Sequence, residues 1–115
     1  MNIVYTIIGL FGFAALMGLI LISYVLRSKE TPRVVVILHG PVAAIALTVL
    51  VYYSFTHDRI FIASIVLFVL AAIGGVFLLV KDLTGKGKPL PKWLAIGHGL
   101  IAVAGFTVLL VNAFA

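Results

Sequence analysis

The sequence predicts an all-α membrane protein, an up-and-down bundle of four transmembrane helices built from two parallel two-helix repeats. The first observation is composition: the 115 residues are 64% hydrophobic and 10% charged, too apolar for a soluble domain of this size. The second is the presence of four uncharged segments long enough to cross a bilayer. The third is an internal repeat, in which the second half of the chain matches the first at a nearly constant offset.

The four apolar segments account for most of the chain. Each contains no Asp, Glu, Lys or Arg and reaches the roughly 20 residues that a bilayer core requires. Backbone amides in lipid must be paired within their own segment, so each segment is expected to be a helix. The predicted spans are Ile3–Leu26, Val34–Phe55, Ile60–Val80 and Trp93–Phe114.

The connections set the direction of the helices. The first, Arg27–Pro32, and the second, Ser54–Arg59, are short, which makes neighbouring helices antiparallel. The third, Lys81–Lys92, is the longest and is interpreted as a basic loop. Six of the eight Lys and Arg residues lie in the first and third connections, and a seventh, Arg33, directly follows the first. We therefore expect these connections to be cytoplasmic and both termini to lie outside.

The net charge of +5 therefore lies at the membrane surface. It is expected to meet anionic lipid headgroups, which argues against nucleic-acid binding. We expect an integral protein of a bacterial inner membrane.

The internal repeat divides the bundle into halves of about 1–57 and 58–115. Between helices one and three, at an offset of 57, six of the twelve positions from Leu10/Leu67 to Leu21/Leu78 agree. Between helices two and four, at an offset of 59, nine positions agree without a gap. These are Pro32/Pro91, Ile37/Ile96, His39/His98, Gly40/Gly99, Ala43/Ala102, Thr48/Thr107, Val49/Val108, Leu50/Leu109 and Phe55/Phe114.

His39 and His98 are the candidate functional residues. Parallel repeats are related by an axis along the membrane normal, so the two histidines should lie at equal depth, about 8 Å inside the hydrocarbon edge. A ring nitrogen there needs a partner. One interpretation is a bond to a Ser, Thr, Tyr or backbone carbonyl of a neighbouring helix. The symmetric pair favours another: two axial ligands of one haem b, His39 and His98 on opposite sides of the ring.

Small residues occur near the level of the histidines and would let a flat macrocycle approach the helices. Gly18 and Gly75 are predicted to border it, with Ala14 and Ala71 one turn away, although close helix packing explains them equally well. Two alanines are further candidate cofactor-binding residues, because one lies four residues after each histidine and therefore on the same helix face. Two basic residues at the starts of helices two and four could meet haem propionates or serve as interface anchors. These are Ala43, Ala102, Arg33 and Lys92.

With His39 and His98 at the axial positions and Gly18 and Gly75 at the bordering positions, the chain resembles the four-helix core of the cytochromes b. In that family each histidine helix usually carries a second histidine about fourteen residues on, at the places of Tyr53 and Asn112 here. The resemblance therefore implies one haem per chain, held between helices two and four.

A haem with two protein ligands favours one-electron transfer or redox sensing over enzymatic oxygen chemistry. We expect exchange with a quinol or a redox protein near the cytoplasmic face, and a homodimer is plausible through the glycine-lined helices. Two alternatives remain: a small dimeric transporter, although all three carboxylates lie in connections, and a cofactor-free structural or regulatory subunit. His57 has no counterpart in the second repeat and is assigned to solvent.

Overall fold

The chain forms a bundle of four α-helices, which confirms the predicted fold class. The computed structural model describes residues 2–57 and 60–115; Met1, Asp58 and Arg59, including the basic residue of the second connection, lie outside this part. The helices are α1, Ile3–Leu26; α2, Arg33–Thr56; α3, Ile62–Thr84; and α4, Lys92–Phe114. All four are long and apolar enough to span a membrane.

The helix bounds agree with the predicted spans to within two residues, except at the end of α3. That helix runs to Thr84, so the prediction that it ends at Val80 is wrong, and the third connection is residues 85–91 rather than Lys81–Lys92. The reason is physical: loss of apolar character marks the edge of the hydrocarbon. A helix continues past this edge wherever its polar residues can still pair their backbone groups.

Local chemistry explains where the helices start. The side chain of Asn2 accepts a hydrogen bond from the amide of Val4 at 2.9 Å and caps α1. Pro32 and Pro91 precede α2 and α4 with φ of −65° and −64°, values that prolines already have. Equivalent prolines therefore start the two histidine helices at equivalent points of the two repeats.

Each helix packs on two neighbours. The closest pairs are α1 with α2 and α3 with α4, the two hairpins of the repeats. The α1–α4 seam and the looser α2–α3 seam join the hairpins, so that α2 lies diagonally opposite α4. The bundle is 46 Å long, enough for a bilayer with its headgroups. We call the end with the first and third connections the basic end and the other the terminal end.

The large buried side chains lie toward the terminal end. At the centre of this core the rings of Phe11 and Phe68 stack across the diagonal from α1 to α3, with centroids 3.9 Å apart and planes at 3°. The core cluster contains Val4, Ile7, Phe11, Ala46, Leu50, Phe61, Phe68 and Leu109. From the middle of the bundle to the basic end, the buried apolar residues are smaller: Ala14, Val25, Ala71 and Ala95. The histidines lie in this half, among the smaller buried residues.

Candidate functional site

The two candidate histidines make the same hydrogen bond in each repeat. His39, partly buried on α2, donates from Nδ1 to the carbonyl oxygen of Ala14 on α1 at 2.8 Å. His98, partly buried on α4, donates from Nδ1 to the carbonyl oxygen of Ala71 on α3 at 2.6 Å. Each imidazole is therefore anchored to the helix that precedes it in its own repeat.

These bonds define the tautomer of both rings. A carbonyl oxygen only accepts, so Nδ1 carries the proton, and a neutral imidazole then has its lone pair on Nε2. Among the described residues, none gives Nε2 of His39 or His98 a hydrogen-bond partner. The backbone-carbonyl interpretation of the sequence thus accounts for one nitrogen of each ring and leaves the nitrogen with the lone pair available for a ligand.

Glycine makes the anchoring possible. Gly18 follows Ala14 by four residues, and Gly75 follows Ala71 by four, so each glycine lies one helical turn beyond the accepting carbonyl. A Cβ atom on Gly18 would lie 3.2 Å from Cε1 of His39. Without side chains there, each ring rests on the helix surface and reaches a carbonyl that has a second lone pair to offer.

The two imidazoles lie close together across the bundle. The ring centroids of His39 and His98 are 6.2 Å apart and the ring planes are at 86°. Two metal–nitrogen bonds of about 2 Å in line, with about 1 Å from each nitrogen to its centroid, would separate the centroids by about 6 Å. The spacing is therefore compatible with two imidazoles on a single metal ion.

The surrounding residues restrict the kind of metal site. Among the described residues, no group of three or more His, Cys, Asp or Glu side chains is positioned to hold a metal ion. A metal bound by His39 and His98 would take its remaining ligands from another molecule, and a porphyrin supplies four nitrogens in a plane. On their donor set, the two histidines suit the iron of a haem.

The other predicted site residues lie around this centre without a direct tie to it. Ala43 and Ala102 are partly buried, one turn beyond the histidines. Arg33 and Lys92 are exposed at the first positions of α2 and α4, six residues before the histidines, or about 9 Å along each helix. Their roles, and bordering of a porphyrin by Gly18 and Gly75, remain predictions.

His57 lies apart from this centre. It is exposed at the terminal end, as expected, with its ring stacked on Tyr53 at a centroid distance of 4.1 Å.

Three residues near the site escaped the sequence analysis. A Cβ atom on Gly74 would lie 3.6 Å from Cβ of His98, and the repeat gives no hint of it because the equivalent residue is Met17. Phe68, which stacks on Phe11, was detectable only as a repeat match. Pro41 lies inside α2 two residues after His39, and a proline within an apolar run was the available signal.

Comparisons with protein-family models, with curated proteins and with solved structures found no match for this chain.

Proposed function

We propose that this protein is a membrane-embedded b-type cytochrome that holds one haem b per chain between α2 and α4. The observation that carries the proposal is the paired arrangement of His39 and His98. Each ring is anchored through Nδ1, has its Nε2 lone pair free, and lies 6.2 Å from the other ring. Two neutral nitrogen donors in an apolar interior are the ligand set of a low-spin haem.

The residues of the chain have distinct parts in this proposal. His39 and His98 bind the iron, and the carbonyl groups of Ala14 and Ala71 hold the rings in position and increase the basicity of the ligating nitrogens. Bound haem supplies a one-electron couple at this position. The apolar surroundings exclude water, and Arg33 and Lys92 lie near enough to the basic end of the site to meet the propionates.

The position of the histidines defines where electrons would enter and leave. They lie about 9 Å from the starts of α2 and α4, close to the basic end. By the positive-inside rule this end faces the cytoplasm of a bacterial inner membrane, with both termini outside. A quinol or a redox protein reaching this side of the bundle would exchange electrons with the haem, and two copies of the chain would associate through exposed helix faces.

The test is the optical spectrum of protein purified from haem-replete cells, compared with His39→Ala and His98→Ala. The wild type should show a Soret band and a sharp α band on reduction, and each variant should lose the low-spin spectrum. His57→Ala is the matched control, because His57 is exposed and stacked on Tyr53, and it should leave the spectrum unchanged. A colourless wild type, or two alanine variants with full low-spin spectra, would contradict the proposal.

A further inference from the structure

The α2–α3 seam contains an apolar groove open toward the lipid. It has a volume of about 330 Å³. The residues that line it are Leu47, Val69, Ala72, Ile73, Val76 and Phe77, which we call the α2–α3 groove. On α3 these residues recur at three- and four-residue spacing and therefore form one continuous stripe.

A polar pocket lies at the basic end of the same seam. It has a volume of about 280 Å³ and is lined by five charged residues that we call the polar pocket: Glu30, Arg33, Asp82, Lys86 and Lys88. Leu83 also lines it and continues the stripe of the groove, six residues or about 9 Å beyond Phe77. The α2–α3 groove and the polar pocket thus follow one another along the seam, and we call this course the track.

The polar pocket is bounded by contacts of the first connection with the end of α3 and with the third connection. Thr31 donates a hydrogen bond to Oδ1 of Asp82 at 3.0 Å. A Cβ atom on Gly87 would lie 2.6 Å from Oε1 of Glu30, and Gly87 has a φ of +83°, which glycine adopts without strain. The hydrogen bond from Thr31 therefore holds the carboxylate of Asp82, and the carboxylate of Glu30 lies against Gly87. The five pocket side chains, all within the described part of the chain, form no ion pair with one another.

From these observations we propose that the α2–α3 seam binds one aminophospholipid per chain, with an acyl chain in the groove and a phosphoethanolamine headgroup in the polar pocket. Glu30 and Asp82 would accept hydrogen bonds from the primary ammonium, and Lys86 and Lys88 would meet the phosphate. The track from Val69 to Leu83 is about 21 Å long, which covers one leaflet of a ≈30 Å core and its headgroup layer.

The headgroup is selected by the mixture of charges. A lipid with a phosphate and no cation would meet two carboxylates with nothing to pair them. Phosphatidylcholine carries a cation, but its quaternary ammonium has no N–H to donate. A primary ammonium next to a phosphate pairs with both kinds of charge in the pocket: the ammonium donates hydrogen bonds to the two carboxylates, and the phosphate pairs with the basic side chains.

The α1–α4 seam shows why one such site is expected per chain. At the position of Leu47, that seam has Phe106, whose Cζ would lie 4.0 Å from a Cβ atom on Gly12. At the position of Asp82 it has Val25, which is 3% exposed. In the α1–α4 seam, the ring of Phe106 occupies the place of the apolar groove, and Val25 replaces the carboxylate of Asp82. This seam therefore lacks both the groove and the polar pocket.

Native mass spectrometry of the detergent-solubilised protein tests this proposal without reference to haem. Phosphatidylethanolamine, phosphatidylcholine and phosphatidylglycerol with identical acyl chains are added separately at the same concentration. We expect one phosphatidylethanolamine per chain, bound about tenfold more tightly than the other two, the difference that one charge-assisted hydrogen bond provides.

Two sets of variants separate the two charges of the headgroup. Glu30→Gln with Asp82→Asn should abolish the preference for phosphatidylethanolamine. Lys86→Gln with Lys88→Gln should weaken all three lipids alike, because each has a phosphate. Lys81→Gln is the matched control, an exposed cation next to Asp82 that does not line the pocket, and it should behave as the wild type.

Circular dichroism and size exclusion confirm that each variant is folded before its lipid binding is compared. Equal retention of the three lipids, a preference for phosphatidylglycerol, or an unchanged preference in the carboxylate variant would each overturn the proposal. The first of these results would mean that only ordinary surrounding lipid occupies the seam.

Discussion

A Cβ atom on Gly75 would lie 3.0 Å from Cε1 of His98, too close for the ring to keep its present position. Gly75→Ala is therefore expected to push the imidazole away from the carbonyl of Ala71 and to strain the site by about 1–3 kcal/mol. If haem binds as proposed, its affinity should fall by roughly tenfold or more. Titration of the purified apoprotein with haemin, followed at the Soret band, measures this change.

Two further variants calibrate that result. Gly18→Ala should show the same effect more weakly, since the equivalent distance to His39 is 3.2 Å. Gly9→Ala on the same helix as Gly18 is the control, because a Cβ atom there would meet no atom of the described residues within 4 Å. Equal haem affinity in all three variants would show that the glycines do not position the histidines.

The Phe11–Phe68 stack is expected to be the main contributor to the stability of the bundle. Phe11→Ala or Phe68→Ala removes a buried ring and should cost about 3–5 kcal/mol, and the double variant should cost less than the sum because the two rings share one contact. Thermal unfolding in detergent measures the loss. Phe55→Ala, which removes a ring 69% exposed to lipid, should change the midpoint little; equal destabilisation by all three single variants would contradict this assignment.

Two fully buried serines should respond in opposite directions to the same substitution. Among the residues that the structure describes, none gives Oγ of Ser64 a hydrogen-bond partner, so Ser64→Ala removes an unpaired polar group and should leave the protein as stable or about 1 kcal/mol more stable. Ser54 accepts a hydrogen bond from the amide of Phe61 at 3.3 Å, and Ser54→Ala should destabilise by about 1 kcal/mol. Chemical unfolding of both variants in one detergent gives the comparison, and a loss of stability in Ser64→Ala would point to a partner such as buried water.

The sequence sufficed for the helices because lipid leaves the backbone no other option, and the repeat placed His39 and His98 at equivalent points before any coordinates. It offered a backbone carbonyl as one possible partner of each ring but could not identify the carbonyls of Ala14 and Ala71, because every residue has the same backbone oxygen. The end of α3 at Thr84 was missed for a different reason. Hydropathy indicates whether a segment lies in lipid or in water, and it does not indicate where the helical hydrogen bonds end. Contacts between the diagonally opposite helices α1 and α3, such as that of Phe11 with Phe68, depend on side-chain rotamers, which the internal repeat does not predict.

The difference between Leu47 and Phe106 provides the last prediction, because these equivalent residues leave one repeat seam open and the other filled. Leu47→Phe should fill the α2–α3 groove as Phe106 fills the α1–α4 seam. It should lower the affinity for phosphatidylethanolamine about tenfold in native mass spectrometry, which corresponds to the burial of slightly fewer than two acyl-chain methylene groups being lost.

The reciprocal variant Phe106→Leu is the matched control. It opens the α1–α4 seam near Gly12, and at the basic end of that seam Val25 stands where the other seam has the carboxylate of Asp82, so any added lipid should bind without headgroup preference. Full phosphatidylethanolamine binding by Leu47→Phe would show that the polar pocket holds the headgroup alone and that the acyl chain lies elsewhere. Acquisition of an ethanolamine preference by Phe106→Leu would instead show that seam shape, and not the paired carboxylates, selects the lipid.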